Sequence, residues 1–425
     1  MISRIRSGKF WLKTLSIGTL TVLALEGGAR LALHQLIFNS DHIYRSAQTA
    51  LDGTKRRIRF DADFGRSWFP RPTLTLHNVI ISKPGTDTAE IHIREMKVGV
   101  AWKTLFGADP EIEKWVIKQA DLGLSRQANG NWNLADLWQQ KGDGWQVNRL
   151  IIENSKINLQ TGNTLYPLQL AALKLTRDDD SYRYESEGKA LLADAETDWQ
   201  SSGFIQPDAQ GWRLPNWQLA ADGRYENRPF SLKLNGNALW LRDTQRWRFN
   251  PLRISADFPD DNIHINTNLP SAEWSENRFV ASRINSFITA NRQNEEWNCS
   301  LTIDRLVWVP ALLDVGEITL EGSRKTEQSR EFMNLRSSLN WQAKDGWQLP
   351  DIALSARQEP LRNNAAPRFA SQLKGSLNYR PDGNWQGKLA GLFDQSPMSL
   401  SAVYQHSNRH IEAKVEWQKL NLLPT

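Results

Sequence analysis

Hydrophobic and polar residues alternate with a period of two along most of this chain, the signature of half-buried β-strands. Phe230, Leu232, Leu234, Gly236, Ala238 and Trp240 hold one parity without a break, against Ser231, Lys233, Asn235 and Asn237 on the other. Ile263, Ile265, Thr267 and Leu269 repeat the pattern. So do Trp385, Gly387, Leu389, Gly391 and Phe393, then Met398, Leu400, Ala402 and Tyr404, then Ile411, Ala413, Val415 and Trp417. Gln-Gly at 210, Asp-Gly at 222 and 345, and Pro-Asp-Gly at 381 punctuate the runs as turns. Earlier, Ile58, Phe60, Ala62 and Phe64 alternate with Arg57, Arg59, Asp61 and Asp63. Ile91, Ile93, Met96, Val98 and Val100 follow, with a slip at Glu95 that predicts a bulge. The pattern predicts a mainly β chain built on a mostly antiparallel sheet with one apolar and one polar face.

The N-terminal end reads differently. Thr14 to Leu25 carries no charge, and the apolar run extends from Phe10 to Phe38 with Lys13, Glu26, Arg30 and His34 as interruptions. Glu26 and Arg30 stand four apart and can pair on one helical face. The basic residues Arg4, Arg6, Lys9 and Lys13 precede the run. These features predict an N-terminal transmembrane helix with a cytoplasmic N-terminus and the body translocated; a cleaved signal peptide is the competing reading. Ile43, Tyr44, Ala47 and Leu51, between Ser40 and Gly53, predict a short amphipathic helix, and a second short helix is expected over Asn133 to Gln139. The expected division is 1–38 cytoplasmic tail and anchor, 39–140 a short helix with β-strands, and 141–425 an elongated antiparallel β-body.

Loose internal echoes support a sheet built up by strand pairs. Trp212-Arg-Leu-Pro-Asn-Trp-Gln-Leu resembles Trp247-Arg-Phe-Asn-Pro-Leu-Arg-Ile and Trp347-Gln-Leu-Pro-Asp-Ile-Ala-Leu, at irregular spacing. The composition agrees: the chain has 425 residues and 19 Trp, spread along its length rather than gathered at one site. Its net charge of +5 is a mild bias without the clustered basic stripe of a nucleic-acid binder, so none is expected as a partner. Cys299 is the one cysteine, which excludes an intramolecular disulfide. It shares parity with Trp297, Leu301 and Ile303 and reads as a small hydrophobe of the apolar face.

No catalytic signature is present: no Gly-x-Ser-x-Gly, no Gly-x-x-x-x-Gly-Lys, no Gly-x-Gly-x-x-Gly and no His-Glu-x-x-His. His406 and His410 flank a polar Ser-Asn-Arg turn, and Asp178-Asp179-Asp180 reads as a polar loop. A non-enzymatic protein without metal or cofactor is expected.

An apolar sheet face has to be covered. The residue pattern alone leans towards self-closure as a sandwich or barrel, with a groove of apolar floor as the alternative. A groove has a clear use, since exposing a long acyl tail to water costs on the order of 10 kcal/mol at roughly 0.8 kcal/mol per methylene. Ile58, Phe60, Phe64, Phe230, Leu232, Leu234, Leu389 and Val415 are the candidate lipid-lining residues.

The order of segments resembles a known family. An anchor and short helix precede Arg59-Phe-Asp-Ala-Asp-Phe64, then Trp68-Phe-Pro-Arg-Pro-Thr-Leu-Thr-Leu-His-Asn-Val-Ile-Ile-Ser82, Leu105-Phe-Gly107 and Asn129-Gly-Asn-Trp-Asn-Leu134. This is similar to the N-terminal region of the AsmA family of bacterial envelope proteins, over roughly residues 1–140. In that family a Pro-rich strand leads into Leu-x-Leu-x-(Asn/Asp)-Val, and an (Asn/Asp)-Gly-x-Trp-Asn-Leu element follows. The resemblance implies an inner-membrane anchor, a periplasmic β-body and kinship to chorein-type bridge-like lipid-transfer proteins. It also implies a role in outer-membrane biogenesis and phospholipid traffic, with phospholipid and other envelope proteins as partners. The implied fold is a long, curved sheet, groove- or taco-like. The alternative is a structural or assembly factor for outer-membrane proteins with a closed β-body. Larger family members continue beyond the equivalent of Leu420-Asn-Leu-Leu-Pro-Thr425; about 20 strands at roughly 4.8 Å would span on the order of 100 Å, so a partial bridge, an oligomer subunit or a truncated relative is expected.

Overall fold

The computed structural model describes residues 44, 45, 48, 51, 53–105, 111–125, 133–138, 146–161, 164–192, 195–275, 277–292, 294–361 and 369–418. The predicted anchor lies outside these. No helix among the described residues is long and apolar enough to cross a membrane. The chain divides into two compact units, one of residues 1–147 with 153–165 and one of 148–152 with 166–425.

The first unit carries β1 (Ile58–Arg59), β2 (Gly65–Ser67), β3 (Thr73–Ser82), β4 (Ala89–Val100), α1 (Trp102–Leu105), β5 (Glu111–Ser125), α2 (Ala135–Trp138), β6 (Gln146–Val147) and most of β7 (Arg149–Thr161). Tyr44, Arg45 and Gln48 are helical, as expected of the segment before Gly53, and α2 falls within the helix predicted over Asn133 to Gln139. β3, β4 and β5 run antiparallel, with Val79 opposite Ile93 and Ile93 opposite Ala120. Below that level all three strands change phase together, so that Leu76, Met96 and Ile117 align. Asn78 and Gln119, at φ 51° and 54°, flank the change. The slip at Glu95 is this change of phase, but the expected bulge is absent there, since Glu95 pairs with His77 and Lys118 in continuous register. The phase change keeps Ile91, Ile93 and Met96 on one core although they are not in a single period-two series. An asparagine suits the spot because its short polar side chain tolerates the left-handed region better than most; Asn78 Nδ2 also donates to Asp61 at 2.6 Å.

The core of this unit gathers Leu51, Ile58, Phe64, Leu76, Val79, Ile91, Ile93, Ala120 and Leu134, with Phe60 and Trp68 packed against it. Beside it lies a buried charge. The Arg56 side chain is 0 % exposed. Its Nε and Nη2 donate to the two carboxylate oxygens of Asp136, at 2.6 and 3.0 Å. Nη1 donates to Glu90 and to the Ser82 carbonyl, the latter at 2.9 Å, and Nη2 reaches the Asn133 carbonyl at 2.6 Å. Asn133 completes the net: its Nδ2 donates to Glu90 and to the Gly123 carbonyl, both at 2.7 Å, and its Oδ1 accepts from the Ser125 N–H at 2.9 Å. A buried guanidinium is tolerated only when paired and fully hydrogen-bonded. The Asn-Leu pair that ends the Asn-Gly-x-Trp-Asn-Leu element therefore supplies one hub of this net, Asn133, and one core residue, Leu134, at 1 % exposure.

The second unit holds β8 (Thr164–Asp178) from residue 166 on, β9 (Ser181–Leu192), β10 (Ala195–Asp208), β11 (Gly211–Tyr225), β12 (Arg228–Leu241) and β13 (Arg246–Phe258). β14 (Ile263–Leu269) and β15 (Ser271–Ser275) are two halves of one rung, since both pair with β13 and with β16 (Arg278–Arg292). Then come β17 (Glu295–Val309), β18 (Leu312–Lys325), β19 (Ser329–Gln342), β20 (Gly346–Pro360), β21 (Phe369–Tyr379), β22 (Trp385–Phe393), β23 (Ser396–Gln405) and β24 (His410–Trp417). Successive rungs pair antiparallel along the whole series, from β8–β9 to β23–β24. Bulges in register recur at one level, at Leu214/Trp217, Gly236/Ala238, Val315/Ile318, Arg336/Asn340 and Leu349/Ile352. Each bends its strand and sharpens the local twist.

Candidate functional site

The register places the apolar residues of the second unit on one face, in rows that cross the strands. Leu234 stands opposite Leu219 and Ile254. The same row continues through Thr267, Ser286, Leu301, Leu320, Leu335, Leu354 and Leu373 to Gly391 and Met398. A neighbouring row runs Ala221, Leu232, Ala256, Ile265, Ile288, Cys299, Gly322, Met333 and Ala356. Most of these side chains are half-buried, not sealed: Leu232, Leu234, Ile254, Leu301, Leu320, Leu335 and Leu354 are all intermediate, and Met333 is 43 % exposed. A sandwich interior would bury them. Fully buried members such as Ala221, Leu252, Leu269, Ala272 and Ala281 are few and mostly small. The self-closed body towards which the residue pattern leaned is thus not what the burial of this face shows. Large contiguous apolar surface of this kind marks an interaction site.

Beyond the line of bulges, at one margin of the same face, lies a mostly aromatic ladder, interrupted at Leu313. Trp212 faces Trp240, Trp240 faces Trp247, Trp247 faces Trp274 and Trp274 faces Phe279. The series goes on through Trp308, Leu313, Trp341, Trp347, Tyr379, Trp385 and Tyr404 to Ile411 on β24. Three neighbouring pairs are in ring contact: centroids are 5.2 Å apart for Trp240–Trp247, 5.8 Å for Trp341–Trp347 and 6.2 Å for Trp385–Tyr404. Such cross-strand aromatic pairs stabilise the sheet. The opposite margin of the face is polar at β17–β20. Arg324 lies 5.0 Å above the Trp297 ring and donates through Nε to Glu295 at 3.0 Å and through Nη1 to Glu331 at 3.4 Å. The Arg324 hydrogen bond holds the Glu295 carboxyl below the usual carboxylate range.

Of the residues expected to line a lipid path, five lie on this face, three on β12 and one each on the distant β22 and β24. Leu232, Leu234 and Phe230 share the face with Leu389 and with Val415, which is 55 % exposed and stands opposite Leu400. The other three belong to the first unit. Ile58 and Phe64 are buried in its core at 7 % and 9 % exposure, and Phe60 packs on that core. Cys299 is half-buried on the apolar face, and burial pushes its thiol pKa up. The ladder escaped sequence reading, although Trp212, Trp247 and Trp347 each begin one of the echoing segments.

The polar face has its own relief. A hollow of about 940 Å³ opens over β8–β13, lined by Lys174, Glu185, Glu187, Lys233, Asn235 and Arg253 among others. Charges of both signs alternate there, as on a solvated face. Asp178–Asp180 border a second, smaller hollow with Phe204 and Pro215. Among the described residues no cluster of His, Cys, Asp and Glu is placed to hold a metal ion.

No curated protein and no solved structure matches the chain. The family model described as the AsmA family matches residues 10–248, more than half of the chain and well past the stretch in which the resemblance was read. The chain belongs to the AsmA family.

Proposed function

We propose that this is a non-enzymatic protein of outer-membrane biogenesis, anchored in the inner membrane by residues 10–38, whose periplasmic body binds phospholipid tails on the apolar face of the second unit. The observation that carries this reading is the mostly apolar register from β11 to β23, interrupted at Thr267 and Ser286 and half-open to solvent. Family membership supports the envelope setting. The polar hollow over β8–β13 lies on the other face and has no part in the proposal. A tail laid on the strip removes both its own methylenes and the leucine rows from water, at roughly 25 cal/mol per Å² on each side. The headgroup stays wet.

The test is native mass spectrometry with lipid extraction on the full-length chain in mild detergent. Phospholipid should co-purify, and Leu232→Asp with Leu234→Asp should lower the bound amount by about tenfold, equivalent to about 1.4 kcal/mol, with circular dichroism unchanged. Lipid held by the anchor is common to both proteins, so the difference reads the sheet. Equal lipid in both would contradict the proposal and favour an assembly factor that binds proteins.

A further inference from the structure

We propose that the aromatic ladder orients the lipid: the phosphate-bearing headgroup of a glycerophospholipid lies at the ladder margin, and its acyl chains lie over the aliphatic rows. This rests on the lipid reading above and adds a direction to it. Indole and phenol rings combine an apolar body with a polar tip, and they gather where one side is apolar and the other wet. The ladder is placed in that way, between the leucine rows and the strand connections. Trp274 is 50 % exposed and Trp347 38 %. Among the described residues the indole N–H groups of Trp212, Trp240, Trp274, Trp308 and Trp347 donate to no protein acceptor, so they are free to meet ester or phosphate oxygens.

Charge separates the two margins independently. The connections beside the ladder carry Arg242, Lys344, Arg380 and Arg409, all exposed and none in an ion pair among the described residues. Asp243, Asp345 and Asp382 share three of those turns, and Glu276 falls in the sequence between β15 and β16, so the margin is mixed in charge, with exposed guanidinium and ammonium groups beside the ladder. At the opposite margin the connections carry Glu226, Asp260, Asp261, Glu327 and Asp394, and the sequence between β20 and β21 carries Arg362 and Arg368. Of the arginines on the face there, Arg324 is held by Glu295 and Glu331 and Arg228 by Asp261, while Arg292 is exposed opposite Glu295. The more acidic margin disfavours an anionic headgroup, and the mixed ladder margin accommodates it.

Two phosphatidylethanolamine probes decide it, one with a diazirine at the end of an acyl chain and one with a diazirine on the headgroup. Each is loaded onto the full-length chain in detergent, photolysed, and mapped by peptide sequencing. The headgroup probe should mark peptides around 242–247, 343–347 and 380–385. The chain-end probe should mark the rows around 286–301 and 318–322 and the far margin. In a Trp341→Leu, Trp347→Leu protein, headgroup adducts at 343–347 should fall several-fold while chain-end adducts persist. Headgroup adducts shared equally by both margins, or unchanged in that variant, would overturn the orientation while chain-end labelling of the face kept the lipid reading intact. Absence of both labels from residues 166–418 would overturn the two together.

Discussion

Arg56→Ala is expected to lower the unfolding free energy of the first unit by roughly 3–5 kcal/mol, because it removes the charged donor from the buried Glu90 carboxylate and from the Ser82 and Asn133 carbonyls. The guanidinium bonds Asp136, Glu90 and the carbonyls of Ser82 and Asn133 at once, and so ties β3, β4 and α2 together. The Glu90 side chain is only 7 % exposed and would be left as a buried, half-satisfied carboxylate. Whole domains are stable by about 5–15 kcal/mol, so the loss is a large share of the total. Urea denaturation gives the magnitude, and hydrogen exchange over residues 58–125 locates it. Two controls sharpen the result. Arg57→Ala removes a pair with Asp87 in which both side chains are more than half exposed, at 67 % and 59 %, and should change stability by under about 1 kcal/mol. Arg56→Met with Glu90→Gln should recover part of the loss, since it leaves less uncompensated charge. An Arg56→Ala protein as stable as the parent would contradict the structure of this unit.

The second large effect comes from two glycines of the apolar face that should behave oppositely. A Cβ at Gly375 would lie 1.7 Å from the Lys388 carbonyl oxygen, and backbone cannot step aside cheaply. Gly375→Ala should destabilise the second unit by about 1–3 kcal/mol or more, read as a lower urea midpoint. A Cβ at Gly322 would meet nothing closer than Met333 Cε at 3.9 Å. Gly322→Trp should leave the midpoint unchanged or raise it, since a strand interior favours a side chain over glycine. The same variant sets an indole among the Cys299, Gly322 and Met333 row. Bound phospholipid should then fall several-fold in a protein that is fully folded. Lost stability in Gly322→Trp, or none lost in Gly375→Ala, would show the register at β18 or β21 to be wrong.

Strand content was plain in the sequence where parity runs unbroken. Ile263–Leu269 and Trp385–Phe393 coincide with β14 and β22, and Ile411–Trp417 falls within β24. The slip at Glu95 was visible as a change of phase, but not the left-handed Asn78 and Gln119 that flank it on the neighbouring strands. Which residues meet across strands depends on turn lengths and bulges. That is why the ladder showed only as irregular echoes beginning at Trp212, Trp247 and Trp347. Those tryptophans open β11, β13 and β20, three strands that start at the same margin. Arg56 was hidden for another reason. In the run Lys55, Arg56, Arg57, Arg59 the four cations look alike, and only the fold distinguishes the one with 0 % exposure. Ile58 and Phe64 show the limit of parity as a guide to function, since alternation marks an inward face without saying whether protein or ligand fills it.

The sole cysteine provides the most direct test that acyl chains lie on the apolar face. Cys299 stands in the middle of the strip, opposite Ile288 and Gly322, and is half-buried there. A bimane fluorophore attached to it in the full-length chain, loaded with phospholipid brominated near the chain ends, should be strongly quenched, and aqueous iodide should quench it less once lipid is bound. Fluorescence indifferent to brominated lipid, with iodide quenching the same before and after loading, would contradict the account.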